Sequence, residues 1–234
     1  MEDRLAGSAA SPGGRRLPPI NGPEDFAEAF KVPRETIHRL TRYAELLNHW
    51  QKSINLVASS TLPEVWSRHF ADSAQLSSLA PDAQTWLDLG SGAGFPGLVV
   101  AILQTGKPDF RMHLVESNQK KCAFLAEVVR AVEAPVDIHV MRIEELAERA
   151  QILRPDVVSA RALAPLPRLF ELANPFFGEG TRGLFLKGRE AEAEIEAARS
   201  GWAFDSRLHP SLTAKDANLV EVTNLRERAE EGAA

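Results

Sequence analysis

Between residues 23 and 79 apolar side chains return at every third or fourth position. Ile37, Leu40, Tyr43, Leu47, Trp50 and Ile54 thereby share one face of a helix, and that face needs a surface to pack against. A further helix is predicted to start at Thr61, because Thr61 and Glu64 stand at capping-box spacing and Pro63 falls in the first turn; it would carry Trp66, His69 and Phe70. Beyond Pro81 the pattern changes to short β-branched or apolar runs separated by longer helical stretches. Strands are predicted at 84–89, 110–116, 136–140, 155–160, 182–187, 203–209 and 217–224. Helices between most of them imply βαβ units on a mainly parallel sheet, while the last two, with only about seven residues between them, imply an antiparallel hairpin. The expected architecture is α/β: a mainly parallel seven-stranded sheet with an N-terminal helical extension. Its limits are a flexible leader over 1–22, the extension over 23–82, the α/β domain over 83–226 and a tail over 227–234.

Composition narrows the class without naming it. Hydrophobic residues make up 44% and charged residues 25%, enough to build a core without staples. One cysteine, Cys122, rules out an internal disulfide and a multi-cysteine zinc site, which suits a reducing compartment and makes the cytoplasm the expected location. The leader lacks the apolar run of an export signal, and no stretch has the roughly 18 apolar residues of a membrane span. With 27 basic against 32 acidic residues the net charge is −5, so any binding to nucleic acid must be local. The protein is expected to act as a monomer.

The informative segment is TWLDLGSGAGFPGLVVAILQ, residues 85–104. An apolar strand runs into Asp88; Gly90, Gly92, Gly94 and Gly97 crowd a turn; an apolar helix follows. Such a turn brings backbone close to a ligand, and the helix start offers unpaired N–H groups. The glycine spacing also satisfies the dinucleotide-binding pattern. Asp88 before the first glycine, and Pro96 where a pyrophosphate would want an N–H, favour a methyl donor without phosphate, S-adenosyl-L-methionine. Glu116 ends the next strand, 22 residues after Gly94, where an acid can accept from both ribose hydroxyls. Asn118 is placed to cap the helix after it. After the third strand, Ile143 stands where it can cover an adenine and Glu144 where it can meet the exocyclic amine, although acids at a helix start also answer the dipole. Arg161 ends the fourth strand at the same sheet edge, as a ligand contact or as a salt-bridge partner.

Taken together and in order, these motifs resemble the bacterial small-subunit rRNA 7-methylguanosine methyltransferases, the family also called glucose-inhibited division protein B. The resemblance runs from about Leu40 to Val222 through LLNHWQKSINLVAS, SRHFADS, LDLGSGAGFPG, RIEEL, SARALAPL and FLKG. It implies a Rossmann-like class I methyltransferase fold, S-adenosyl-L-methionine as cofactor, and 16S rRNA, alone or in the small ribosomal subunit, as partner. It also implies that Gly90, Phe95, Ile143, Glu144 and Arg161 hold the cofactor, with Asp88, Gly92 and Glu116 in support. Phe95 departs from the family, which often has an aliphatic residue there.

Nitrogen 7 of guanine has a free lone pair, so methylation there needs positioning and charge management rather than a general base. Methylation of an exocyclic amine would call for an Asn/Asp-Pro-Pro-aromatic tetrapeptide after the fourth strand, where this chain has SARALAPL. Arg161 is the candidate catalytic residue, linking cofactor and substrate. The six histidines lack metal-ligand spacing and no metal is expected. Candidate RNA contacts are Arg34, Arg39, Arg42, Arg68, His69 and Lys187. The last lies in the 154–189 segment, where Arg154, Arg161, Arg168, Arg182, Lys187 and Arg189 outnumber Asp156, Glu171 and Glu179. A nicotinamide oxidoreductase is disfavoured by the lack of a Tyr-x-x-x-Lys pair. A non-catalytic RNA-binding module would not need the Asp88, glycine and Glu116 constellation.

Overall fold

The computed structural model describes residues 16–149 and 153–228. Two helices open it, α1 (Pro23–Phe30) and α2 (Arg34–Trp50), followed by a 3-10 segment (Ser59–Glu64), a π-helical turn (Trp66–Ala71) and α3 (Asp72–Leu79). The α/β portion then runs β1 (Thr85–Leu89), α4 (Gly97–Leu103), β2 (Arg111–Glu116), α5 (Gln119–Val132), β3 (Val136–Val140), α6 (Ile143–Arg149) and β4 (Val157–Arg161). It continues with α7 (Leu166–Ala173), β5 (Arg182–Lys187), α8 (Ala191–Ala198), β6 (Trp202–Pro210) and β7 (Asn218–Glu227). All seven predicted strands are present. β4 begins later than expected because the Asp156 carboxylate accepts from the amides of Gln84 (2.7 Å) and Thr85 (2.9 Å), which makes that residue an anchor beside β1 rather than a strand position.

The sheet has the order β3-β2-β1-β4-β5-β7-β6. β1 to β5 are parallel, and β7 inserts antiparallel between β5 and its hairpin partner β6. The order reverses beside β1, so the carboxyl ends of β1, β2 and β4 surround the crevice where open α/β sheets bind ligands.

One face of the sheet is covered by α4, α5 and the N-terminal helices. Leu40, Tyr43 and Leu47 of α2 lie in the same apolar core as Leu98, Phe124 and Leu125. The helical extension and the sheet therefore share one core, and the periodic face of α2 finds its partner there. The other face is closed by α6, α7 and α8 around Phe170, Phe185 and Val220.

Two expectations change. Thr61 does not start an α-helix: its hydroxyl donates to the Ala58 carbonyl (2.8 Å) and its oxygen faces a His69 ring nitrogen (2.8 Å), so it is spent on contacts that a capping box would need. Of the stretch read as a flexible leader, residues 1–15 lie outside the described residues, but the remainder is held down. Ile20 is buried and the Leu17 amide donates to the Leu212 carbonyl at 3.1 Å, because an apolar side chain beside the β6–β7 connection has surface to cover. Residues 229–234 of the tail also lie outside the described residues. No described helix is long and apolar enough to cross a membrane.

Candidate active site

The glycine turn joins β1 to α4. Gly92 sits at φ +58°, a region that side chains with a Cβ enter only with strain, and its amide donates to Glu116 Oε2 at 2.9 Å. The other Glu116 oxygen accepts from the Asn118 amide at 2.7 Å, and the Asn118 side chain caps α5 as its position predicted. Each carboxylate oxygen keeps a second lone pair for a further donor.

Asp88 works from behind this turn. Its side chain is fully buried behind the turn and does not line the cavity at the switch point. Instead Oδ1 accepts from the Ser159 hydroxyl at 2.7 Å, and the carboxylate lies against the start of α4, where a Cβ on Gly97 would meet Oδ2 at 2.8 Å. The positive end of the helix suits a carboxylate there. Burial nevertheless pushes its pKa up to about 6, against the opposing pull of Ser159 and Ser91.

Gly90, Gly92, Glu116, Ile143 and Glu144 come together as predicted, lining a cavity of about 320 Å³ at the switch point. Ile143 and Leu163 give it apolar walls, and Glu116 lines it. Glu144 is half exposed and ion-paired with Arg168 at 3.1 Å. Phe95 is not among the lining residues. It is 4% exposed and stacks between Tyr43 (5.4 Å) and His69 (4.8 Å), with the Arg161 guanidinium 5.0 Å from its ring centre. The Phe95 ring thus packs under the Arg161 guanidinium. Tyr43 also donates its hydroxyl to the Ala93 carbonyl, tying α2 to the glycine turn.

Arg161 lies at the carboxyl end of β4. Its Nη1 donates to the Arg68 carbonyl (3.2 Å) and its Nη2 to His69 Nδ1 (2.9 Å), while Asp72 Oδ2 stands 3.7 Å away. Because Nδ1 accepts, the His69 proton resides on Nε2, facing Thr61. Burial first, then the charges of Arg161 and Arg68, drive the His69 pKa down to about 3. His69 is therefore a neutral, buried support for Arg161.

The nucleoside-sized cavity shares Ala162 and Leu163 with a neighbouring cleft of about 510 Å³ lined by Asp72, Arg161 and the 162–165 loop. That cleft shares Asp72, Arg161, Ala162 and Ala217 with a broader one of about 880 Å³, which Arg68, Arg189 and Lys215 border. Ala162 takes the left-handed conformation at φ +51°, a costly choice for a residue with a Cβ. Lys187 holds that loop: its Nζ donates to the Ala164 carbonyl (2.6 Å) and to Glu194 Oε2 (2.7 Å), which also accepts from the Leu166 amide (2.8 Å).

The proposed RNA contacts divide accordingly. Lys187 is 9% exposed and engaged in the loop. Arg39 donates to the Val132 carbonyl at 2.9 Å, at the far end of α5, about 20 Å of helix from Glu116. Arg42 pairs with Glu45 at 2.9 Å, and Arg34 is exposed on the first turn of α2. Arg68 alone of the six borders the cleft with an exposed side chain. Sequence reading overlooked Lys215 and gave no role to Asp72. Lys215 lies in a connection with no periodicity to mark it.

The strand order, the crossover helices and the cavity at the switch point define a Rossmann-like class I methyltransferase. Solved structures agree on the fold: an O-methyltransferase from Bacillus cereus (TM-score 0.57, 14% identity, 79% of this chain and 91% of that one) and TomG from Streptomyces achromogenes (TM-score 0.54, 14% identity, 79% and 89%). The chain belongs to the GidB family, rRNA small subunit methyltransferase G, whose model matches residues 36–226. Relatives named ribosomal RNA small subunit methyltransferase G include one from Parvibaculum lavamentivorans, 51% identical over 209 residues (89% of this chain, 92% of the relative). Another, from a Methylobacterium strain, is 51% identical over 195 residues (83% and 91%).

Proposed function

We propose that this protein, acting as a cytoplasmic monomer, methylates nitrogen 7 of a guanine in 16S rRNA, using S-adenosyl-L-methionine. The observation that carries this reading is that the nucleoside-sized cavity, lined by Glu116, adjoins the Arg161 cleft, the two sharing Ala162 and Leu163. The relatives' names supply the class of RNA.

The residues fit the cofactor. Apolar walls at Ile143 and Leu163 suit a purine, and Glu116 has lone pairs to spare for two ribose hydroxyls. When bound, S-adenosyl-L-methionine supplies a methyl group on a sulfonium. Its transfer to a nitrogen that already holds a lone pair would return the sulfonium's bonding electrons to sulfur, move positive charge to the purine and release no proton. His69, whose two ring nitrogens are occupied by Arg161 and Thr61, is unfitted to act as a base, and this reaction asks for none. Arg161 spends two N–H groups on the protein and has three more of its fork for the seam between cofactor and base. Arg68, Arg189 and Lys215 offer backbone phosphates a local positive border.

Calorimetric titration of Glu116→Ala with S-adenosyl-L-methionine tests the cofactor assignment. Loss of the ribose acceptor should weaken binding by about 1.5–3 kcal/mol. Unchanged affinity would remove Glu116, and with it this cavity, as the nucleoside site.

A further inference from the structure

A nitrogen that is to be methylated must be left bare, so the target guanine has to be held by another edge. Enzymes that act on a single base extrude it and read its Watson–Crick edge. In guanine that edge carries the N1–H and the exocyclic 2-amine, both donors, so the reader must offer acceptors. Four carboxylates line the two clefts: Glu64, Asp72, Glu194 and Asp216. Glu64 and Asp216 are exposed, and Glu194 Oε2 is taken by Lys187 and the Leu166 amide.

Asp72 is placed differently. It lies in both clefts beside Arg161, with its side chain 15% exposed. Oδ1 is filled, accepting from Gln75 Nε2 (3.0 Å) and from the Thr213 hydroxyl (3.0 Å). Gln75 is itself fixed by accepting from the Leu212 amide at 3.1 Å, so α3 and the β6–β7 connection clamp the carboxylate between them. Among the described residues Oδ2 faces only the Arg161 Nη1, an ion pair at 3.7 Å and longer than a well-formed hydrogen bond. One oxygen is thus held rigidly while the other is presented. Burial raises the Asp72 pKa and Arg161 opposes the rise, the balance of a carboxylate set into a site rather than on a surface.

Resting on the guanine-N7 reading, we propose that Asp72 is a specificity-determining residue whose Oδ2 accepts a hydrogen bond from the 2-amine of the target guanine. The amine projects furthest from the ring and so reaches the recessed oxygen, and its capture turns nitrogen 7 towards the nucleoside cavity.

Small ribosomal subunits reconstituted with inosine at the methylated position lack only that amine. Wild-type kcat/KM should favour guanosine over inosine subunits by about 10- to 100-fold, the range of a hydrogen bond to a charged group. In Asp72→Asn the amide oxygen is claimed by Gln75 and Thr213, leaving an NH2 facing the amine, so activity on guanosine should fall and the preference collapse towards one. Thr213→Val, which retains the carboxylate, should retain the preference. Equal wild-type rates on the two substrates, or an undiminished preference in Asp72→Asn, would overturn the assignment, since a purely structural role lowers both rates alike. Mass spectrometry of the wild-type guanosine product separates the two readings. Absence of 7-methylguanosine defeats the guanine-N7 reading, whereas its presence with equal rates defeats Asp72 alone.

Discussion

Among single residues, His69 shows how far burial and a neighbour can reassign a side chain. Its folded pKa is about 3 against an ordinary 6.5, so unfolding takes up a proton anywhere between those values. The stability tied to the neutral ring is fully present above pH 6.5 and is lost as pH falls towards 3. Asp88 has the opposite sign: with its pKa raised to about 6, the folded state holds a proton that the unfolded chain releases, so stability declines as pH rises through the 4–6 range. A comparison that keeps Asp88 constant isolates the histidine. His69→Asn keeps an acceptor for Arg161 but does not titrate. Between pH 6.5 and 4 the wild-type melting temperature should therefore fall more steeply than that of the variant. Parallel curves would show that His69 is protonated in the fold and that the Arg161 hydrogen bond is misassigned.

At the level of elements, the 162–166 loop carries the site and depends on a partner distant in sequence. Lys187→Met would strand Glu194 and free the Ala164 carbonyl, which should cost about 2–3 kcal/mol, below the fully buried range because Glu194 is 23% exposed. Adding Glu194→Gln neutralises the stranded charge while retaining an acceptor for the Leu166 amide, so the double variant should be less destabilised than Lys187→Met alone. Urea unfolding midpoints check this, and a double variant that is worse than the single would contradict it. The same elements show what a sequence exposes. β1 to β5 were legible because apolar β-branched runs stand between breakers, and Glu116 because its spacing from the glycine turn is local. Asp72, Lys187 and Thr61 were not, because their meaning lies in contacts across 141, 23 and 8 positions that no local pattern encodes. Adjacency to the glycine turn singled out Asp88, but it does not reveal that the side chain is buried behind the turn.

For the molecule as a whole, a shared core makes the N-terminal helices part of the catalytic body. Tyr43 of α2 packs on Phe95, Phe70 and Phe124 and anchors the glycine turn at Ala93. With a net charge of −5, the proposed recognition of RNA would fall to Arg68, Arg189 and Lys215, which border a cleft also lined by Arg161 and Asp72. The arrangement is suited to an extruded base whose nucleophile already carries its lone pair. The direct measurement supplies the purified protein with small ribosomal subunits and methyl-labelled S-adenosyl-L-methionine, then digests the 16S rRNA to nucleosides for mass spectrometry. The account predicts that the label appears in 7-methylguanosine. Label on an exocyclic amine, on a ribose hydroxyl or in no nucleoside at all would contradict it.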